Sequence, residues 1–241
     1  MVERGLSESR EKAKRAILAG QVRINDQPAH KASDPVKATD QISLLAPEKF
    51  VSRGGFKLEH ALEHFRLQVA GKTALDLGAS TGGFTDCLLQ RGAAKVYAVD
   101  VGQGQLAWKL RRDPRVVVME KTNARLLERS RFPASFSPVD VVVIDCSFIS
   151  LRKILPAAVA FSHSLANIIA LIKPQFEAGK READKGAGVI RDPVIHERVL
   201  REVKDFVSAQ SGLRWIDAIE SPLRGPAGNK EFLVLIEKTG K

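Results

Sequence analysis

The stretch Asp76-Leu77-Gly78-Ala79-Ser80-Thr81-Gly82-Gly83-Phe84-Thr85-Asp86 constrains the fold more than any other part of this chain. An apolar run, Thr73-Ala74-Leu75, precedes it, and an amphipathic stretch from Thr85 to Arg91 follows. That order predicts a strand, a glycine-rich turn and a helix. Glycine places no side chain between backbone and ligand and tolerates φ/ψ values closed to other residues, so such a turn lets a ligand approach closely. A second strand is expected at Val96-Tyr97-Ala98-Val99, closed by Asp100. An acid there, about 20 residues past the turn, is placed to bind the ribose hydroxyls of a nucleotide-like ligand.

The spacing narrows the ligand. Dinucleotide-binding turns read G-x-G-x-x-G, whereas this one reads G-x-x-x-G-G. A nicotinamide oxidoreductase is therefore a distant alternative. The phosphate loop G-x-x-x-x-G-K-[ST] also fails, because no lysine follows the glycines. An acid two residues before the first glycine resembles the S-adenosylmethionine turn of Rossmann-like methyltransferases, D-x-G-x-G-x-G, with Ser80 in place of the middle glycine. In those proteins the acid lies near the methionine amine, and the acid of the second strand holds the ribose. The bland alternative is a tight strand-to-helix turn with no ligand. The turn and the distant acid occurring together, at the right separation, argue against it.

Beyond the turn, residues 51–241 alternate strand and helix. Strands are expected at 73–77, 96–100, 116–119, 139–145, 167–173, 213–220 and 231–237. Val139 to Ile144 is nearly all apolar and β-branched, as a parallel strand covered on both faces should be. The pattern is a doubly wound, seven-stranded α/β sheet, Rossmann-like, with the last strand antiparallel. The charged, glycine-rich segment Glu177 to Gly188 reads equally as a mobile lid or a plain surface loop.

Composition excludes some classes. A net charge of +10 over 241 residues favours an anionic partner, nucleic acid before acidic membrane. Residues 103–131 alone hold eight basic and three acidic side chains. No apolar run approaches the roughly 18 residues of a membrane-spanning helix, and Met1-Val2-Glu3-Arg4 lacks the apolar core of a signal peptide. Stable membrane insertion is not expected. Two cysteines, Cys87 and Cys146, suit a reducing cytoplasm better than a disulfide framework. Cys146 reads as a small buried residue rather than a nucleophile. His60 and His64 flank Glu63 as H-A-L-E-H, not H-E-x-x-H, so no metal site is expected.

Residues 1–46 read as a separate small module, 47–52 as a linker around Pro47-Glu48-Lys49, and 53–241 as the main domain. In the module Ser7 is expected to cap a helix running to about Ala19, with Gly20 as its stop. Val22 and Ile24 suggest a short strand, Asn25-Asp26 a turn, and Gln41 to Leu45 a further strand. Arg10, Lys14 and Arg15, with Lys12 nearby, line exposed parts of that helix. Taken alone, they read as a solvated face.

In an open α/β sheet, ligands sit beyond the carboxyl ends of the strands at the switch point. Asp76, Asp100, Asp145 and Lys173 all end expected strands. Glu231 begins the last one, and an antiparallel last strand starts on the same edge. Lys57 lies early in the helix before the first strand of the main domain. Lys57, Asp145, Lys173 and Glu231 can therefore meet beside the ligand turn. Two lysines and two acids at one edge suggest acid–base chemistry, since a desolvated lysine, or one beside a like charge, can serve as a base. A structural ion-pair cluster is the alternative for any one of them.

Five blocks carry a resemblance: S-R-G-G-F-K-L (52–58), D-L-G-A-S-T-G-G-F-T-D (76–86), V-I-D-C-S-F-I-S-L (143–151), L-I-K-P-Q-F-E (171–177) and G-N-K-E-F (228–232). They resemble the TlyA-type family, proteins called hemolysins that are ribosomal RNA ribose methyltransferases with an FtsJ-like catalytic domain. R-G-L-x-x-S-R-x-x-A-x-x-x-I-x-x-G-x-V-x-I-N, from Arg4 to Asn25, is similar to the small α+β RNA-binding fold named after ribosomal protein S4. That fold usually has a few more residues before this point, so the module is expected to be slightly clipped or its start misassigned.

The resemblance implies a tetrad of Lys57, Asp145, Lys173 and Glu231. Lys173 would take the proton from a ribose 2′-hydroxyl, Lys57 would favour its neutral form, and Asp145 and Glu231 would position it. Asp76, Gly78, Ser80, Gly82, Gly83 and Phe84 would hold the methionine portion of S-adenosylmethionine, Asp100 its ribose, and Asn123 would face its adenine. Arg4, Ser9, Arg10, Lys14 and Arg53 would contact RNA. The implied substrate is ribosomal RNA within a ribosomal subunit, methylated at a cytidine, in the cytoplasm. Two other readings stay open: a membrane-active cytolysin, as the family's older name suggests, and a non-catalytic RNA-binding assembly factor.

Overall fold

The computed structural model describes residues 1–18, 20–45 and 48–240. The chain falls into two compact units, Met1–Lys49 and Phe50–Lys241. Pro47, expected in a linker, and Ala19, expected to end the first helix, lie outside the described residues.

In the first unit, α1 spans Arg10–Leu18. Its cap is Ser9, not Ser7. The Ser9 Oγ accepts the Lys12 N–H at 3.2 Å, while the Ser7 hydroxyl donates to the Ser9 carbonyl at 3.1 Å. The serine whose oxygen reaches the third amide of the helix sets its start. After α1 the Gln21 N–H reaches back to the Ala16 carbonyl at 3.0 Å, the usual way a left-handed stop closes a helix. β1 (Val22–Ile24) turns through Asn25 and Asp26 into β2 (Gln27–Pro28). Both turn residues have positive φ, 49° and 65°, which matches the twist of a hairpin. β3 (Ile42–Leu44) completes a sheet of order β2-β1-β3.

The second unit begins with α2 (Gly54–His64), β4 (Thr73–Leu77), α3 (Gly83–Gln90) and β5 (Lys95–Val99). It continues through α4 (Trp108–Arg111), β6 (Val116–Met119), β7 (Val139–Ile144), α5 (Leu151–Ala160) and β8 (Ser162–Ile172). Then come α6 (Pro174–Glu177), α7 (Lys180–Lys185), α8 (Pro193–Ser208), β9 (Leu213–Glu220) and β10 (Phe232–Lys238). The seven strands lie in the order β6-β5-β4-β7-β8-β10-β9. Neighbours from β6 to β8 are parallel, and β10 runs antiparallel to both β8 and β9. This is the expected doubly wound sheet with its last strand reversed. The chain winds outward from β4 through β5 to β6, then crosses to β7 on the other side of β4, so the switch point lies at the carboxyl ends of β4 and β7.

Residues 50–52, expected as linker, pack into this unit. Phe50 is 2% exposed, its ring meets that of Phe56 edge-on at 5.1 Å, and the Val51 N–H donates to Asp86 Oδ2 at 2.9 Å. β8 starts five residues earlier than expected. Its pairing with β7 is irregular between Val139 and Val141, and Leu165, in the interrupted stretch, has φ +68°. Polar His163 and Ser164 hide that stretch from a reading based on apolar runs.

Side chains alternate across each strand, so the sheet supports a core on each face. Leu75, Leu77, Val142 and Ile144 pack with α5 and α8 on one side. Ala74, Val96, Val141 and Val143 pack with α2 and α3 on the other. Val139, Val141, Val142 and Val143 are wholly buried, each worth roughly 1.5–3 kcal/mol relative to exposure. Among the described residues no helix is long and apolar enough to cross a membrane.

Candidate active site

Asp100, Asp145 and Lys173 each follow the last residue of a strand, Val99, Ile144 and Ile172. Asp76 does not. It is the fourth residue of the five-residue β4, on the face shared with Ala74, and points under α3. It is 0% exposed and lines neither of the cavities at this edge. Its Oδ2 accepts the Thr85 hydroxyl at 2.6 Å, and its buried Oδ1 has no partner among the described residues. Burial pushes the carboxyl up to about 7, against the opposing Thr85 hydrogen bond.

Two adjoining cavities open at the carboxyl edge. One, of about 480 Å³, is lined by Gly78, Ser80, Asp100, Gln105 and Asn123. Asp100 is held by two backbone amides, Ser80 N–H to Oδ2 at 2.8 Å and Gly102 N–H to Oδ1 at 2.7 Å. Asn123 caps a 3₁₀ turn, its side chain accepting the Arg125 N–H. Phe148 stands at this cavity 91% exposed. Gly78 has φ +89°, and a Cβ there would sit 2.8 Å from the Asp145 carbonyl oxygen. Only glycine lets the turn close against Asp145. Gly82 lines neither cavity; at φ +100°, a Cβ would strike the Leu110 side chain at 2.3 Å, so packing explains it.

The other cavity, of about 280 Å³, brings together Lys57, Asp145, Lys173 and Glu231 and also touches Ser80, Gly83 and Phe84. Lys57 is the fourth residue of α2. Glu231 precedes β10, whose first residue, Phe232, pairs with Ile172, so Glu231 and Lys173 lie at the same end of adjacent strands. Lys57 Nζ donates to Glu231 Oε2 at 2.5 Å. Lys173 Nζ lies 2.6 Å from Asp145 Oδ1, an ion pair whose angle falls outside hydrogen-bond geometry. Lys173 Nζ also donates to Ser147 Oγ at 2.9 Å. Lys57, Lys173 and Glu231 are buried, at 8%, 7% and 2% exposure, and Asp145 is partly open. The cluster carries no net formal charge and is paired and largely buried, while Asp145 faces both cavities.

Both ends of the segment after Lys173 are pinned. Glu177, at the end of α6, accepts the Ser150 hydroxyl at 2.7 Å and the Leu151 N–H at 2.6 Å. Asn229 accepts the Ile190 N–H and donates to the Gly188 carbonyl, both at 2.9 Å. Cys146 is only partly buried and lines the larger cavity; desolvation pushes its thiol up to about 12, and its Sγ donates to the Leu77 carbonyl at 3.4 Å. His64 lies on the surface of α2, 3.3 Å from Asp217.

The residues expected to touch RNA divide. The Arg4 guanidinium donates to the carbonyls of Asp40, Lys37 and Ala38, and Ser9 caps α1, so both have work inside their own unit. Arg10, Lys14 and Arg53 are exposed. The residue reading missed Thr85 and Ser147. Both lie inside conspicuous blocks, but their partners Asp76 and Lys173 are set by the fold.

Comparisons with known proteins identify the family of each unit. Residues 50–238 match the FtsJ-like methyltransferase family, and residues 1–42 match the S4 domain. The chain is 48% identical to the 16S/23S rRNA (cytidine-2′-O)-methyltransferase TlyA of Mycobacterium tuberculosis, over 97% of this chain and 86% of that one. It is 43% identical to Hemolysin A of Brachyspira hyodysenteriae, over 95% and 94%. A solved hemolysin structure from Streptococcus thermophilus superposes with a TM-score of 0.76 at 44% identity, covering 99% of this chain and 86% of that one. This chain therefore belongs to the FtsJ-like methyltransferases, in the TlyA and hemolysin A family that joins that catalytic fold to an S4 domain.

Proposed function

We propose that this chain methylates a ribose 2′-hydroxyl in ribosomal RNA, at a cytidine, with S-adenosylmethionine as methyl donor. The observation that carries this reading is the buried, neutral cluster of Lys57, Asp145, Lys173 and Glu231 beside a nucleoside-sized cavity floored by Asp100. That cavity suits the donor by its volume, its amide-held carboxylate and the Gly78 turn.

Bound S-adenosylmethionine supplies an activated methyl group. This chain supplies the holding and the base. Asp100, its oxygens oriented by two backbone amides, accepts hydrogen bonds from ribose hydroxyls. Gly78 and Ser80 form the wall beside it, Asn123 offers its amide to the base, and Gly83 and Phe84 close the wall of the second cavity. Lys173, once it has released the proton of its resting ion pair with Asp145, accepts the proton of the ribose 2′-hydroxyl at Nζ. Asp145 and Ser147 hold that nitrogen in place. Lys57 and Glu231 form a fixed pair beside it. Positioning of two reactants contributes most of the acceleration, and the base a further factor of roughly 10²–10⁴.

The S4 domain, with Arg10 and Lys14 one helical turn apart on α1, captures RNA through phosphates, and Arg53 does so at the active cavity. The first unit is then the capture module and the second, from Phe50 on, the catalytic domain, acting on ribosomal subunits in the cytoplasm. The test is transfer of a labelled methyl group to ribosomal subunits by wild type and Lys173→Ala. Alkali-resistant label at a ribose, lost in the variant, supports both reaction and base. Label on a base instead of a ribose sinks the proposal.

A further inference from the structure

The tetrad cavity carries charge that the tetrad does not use. Lys57 pairs with Glu231 and Lys173 with Asp145, so four of the charges on its wall cancel. Two arginines on the same wall remain, Arg53 and Arg224. Both are exposed. Among the described residues neither guanidinium has a carboxylate partner; Arg224 donates only to the Gly228 carbonyl, at 3.2 Å.

Their positions are linked to the reaction. Arg53 sits at the position just before α2, four residues before Lys57, and makes no capping hydrogen bond with its side chain. Arg224 lies on the turn leading to Glu231, next to Gly225, where a Cβ would come within 2.5 Å of Glu231 Oε1. Each arginine thus rides on a segment that also carries one member of the buried Lys57–Glu231 pair. A mouth with two spare guanidinium groups suits a substrate that brings anions to either side of its reacting hydroxyl. A ribose inside an RNA strand has a phosphodiester on each side, and the planar fork of arginine matches phosphate oxygens.

We infer that Arg224 and Arg53 form a two-arginine clamp that grips the phosphodiesters flanking the ribose to be methylated. This rests on the reading of the site as an RNA ribose methyltransferase. Arg224 is the new member. The clamp selects a polynucleotide over a free nucleoside and, because phosphate contacts carry no base information, positions the ribose without reading its base.

The test is binding of protein-free ribosomal RNA across a salt series by wild type, Arg224→Ala, Arg224→Lys, Arg53→Ala and the double alanine variant, with methyl transfer measured beside it. Each alanine should reduce the steepness of log affinity against log salt by about 0.7–0.9, and the double variant by about twice that. Affinity at low salt should fall about tenfold per arginine, and the rate at saturating RNA should fall with it, because the clamp also positions the ribose. Arg224→Lys should keep the wild-type steepness, since charge is retained. Unchanged steepness in Arg224→Ala, with wild type still labelling ribose, overturns the clamp and leaves the methyltransferase reading intact. A lysine variant as weak as alanine, with a lowered melting temperature, shows that Arg224 only builds its turn through Gly228, and also overturns the clamp. Failure of wild type to label ribose sinks the underlying reading instead.

Discussion

The tetrad cavity and the basic segment 103–131 are both rich in charge, yet they use it in opposite ways. In the cavity two lysines meet two acids, and two arginines are left facing the opening. In the segment most of the cations turn inward on the protein itself. Lys109 pairs with Asp86, Arg111 with Glu120 and Arg115 with Asp113. Arg129 donates to the carbonyls of Pro133, Ala134 and Phe136, and Arg131 to the Lys121 carbonyl and the Thr122 hydroxyl. Arg112, Lys121 and Arg125 remain exposed. An excess of basic residues along a sequence is therefore not yet a nucleic-acid surface; what counts is which guanidinium groups lack a partner.

The largest expected break in this contrast is Lys173→Ala, which should lower methyl transfer about 10²–10⁴-fold while the protein stays folded by circular dichroism. Lys173→Arg should not restore it, because a guanidinium does not give up its proton near neutral pH. Near-wild-type transfer by either variant would remove Lys173 as the base. Next comes Glu231→Ala, which leaves the buried Lys57 charge unpaired and should cost about 3–5 kcal/mol in urea unfolding. A loss under about 1 kcal/mol would mean that water reaches Lys57.

Asp76 gives a pH signature. Its carboxyl titrates near 3.8 in the unfolded chain and about 7 in the fold. Between those values the folded state keeps a proton that the unfolded chain has lost. This contribution is complete below about pH 3.8 and is lost as pH rises through 7, at about 1.4 kcal/mol per pH unit within that window. Asp76→Asn should flatten that part of the ligand-free stability curve, and a variant curve parallel to wild type would assign the slope elsewhere. Arg129→Ala should cost about 1–2 kcal/mol, since three carbonyls lose a charged donor, with no change in the salt dependence of RNA binding. That combination separates it from Arg224→Ala. Smallest of all, Arg112→Ala should change stability by less than about 0.5 kcal/mol, as thermal melting would show.

The strand positions were legible because burial on both faces demands apolar runs such as Val139 to Ile144, and six of the seven strands begin and end within one residue of expectation. The eleven-residue β8 ran longer because its first half is irregular and polar. The cap of α1 was misplaced because Ser7 and Ser9 look alike in one dimension, and only geometry shows whose oxygen reaches Lys12. The tetrad was legible as four charged residues at strand and helix ends that topology brings to one edge. Its pairing was not: side-chain contacts across separations such as the 174 residues between Lys57 and Glu231 follow from strand order.

Asp76 marks the boundary most clearly. By itself the sequence determined that an acid would precede a glycine turn at the end of a strand, because spacing along the chain is local information. Tertiary structure alone decided that this acid lies one residue inside β4, turned away from the cavity and under Thr85. Side-chain alternation assigns it to the α3 face, and only the packing of α3 on that face determines how dry, and so how protonated, it becomes. The same holds for Arg224: its charge was plain in the chain, but its place beside Glu231, with no carboxylate partner among the described residues, exists only once β10 has been laid against β8.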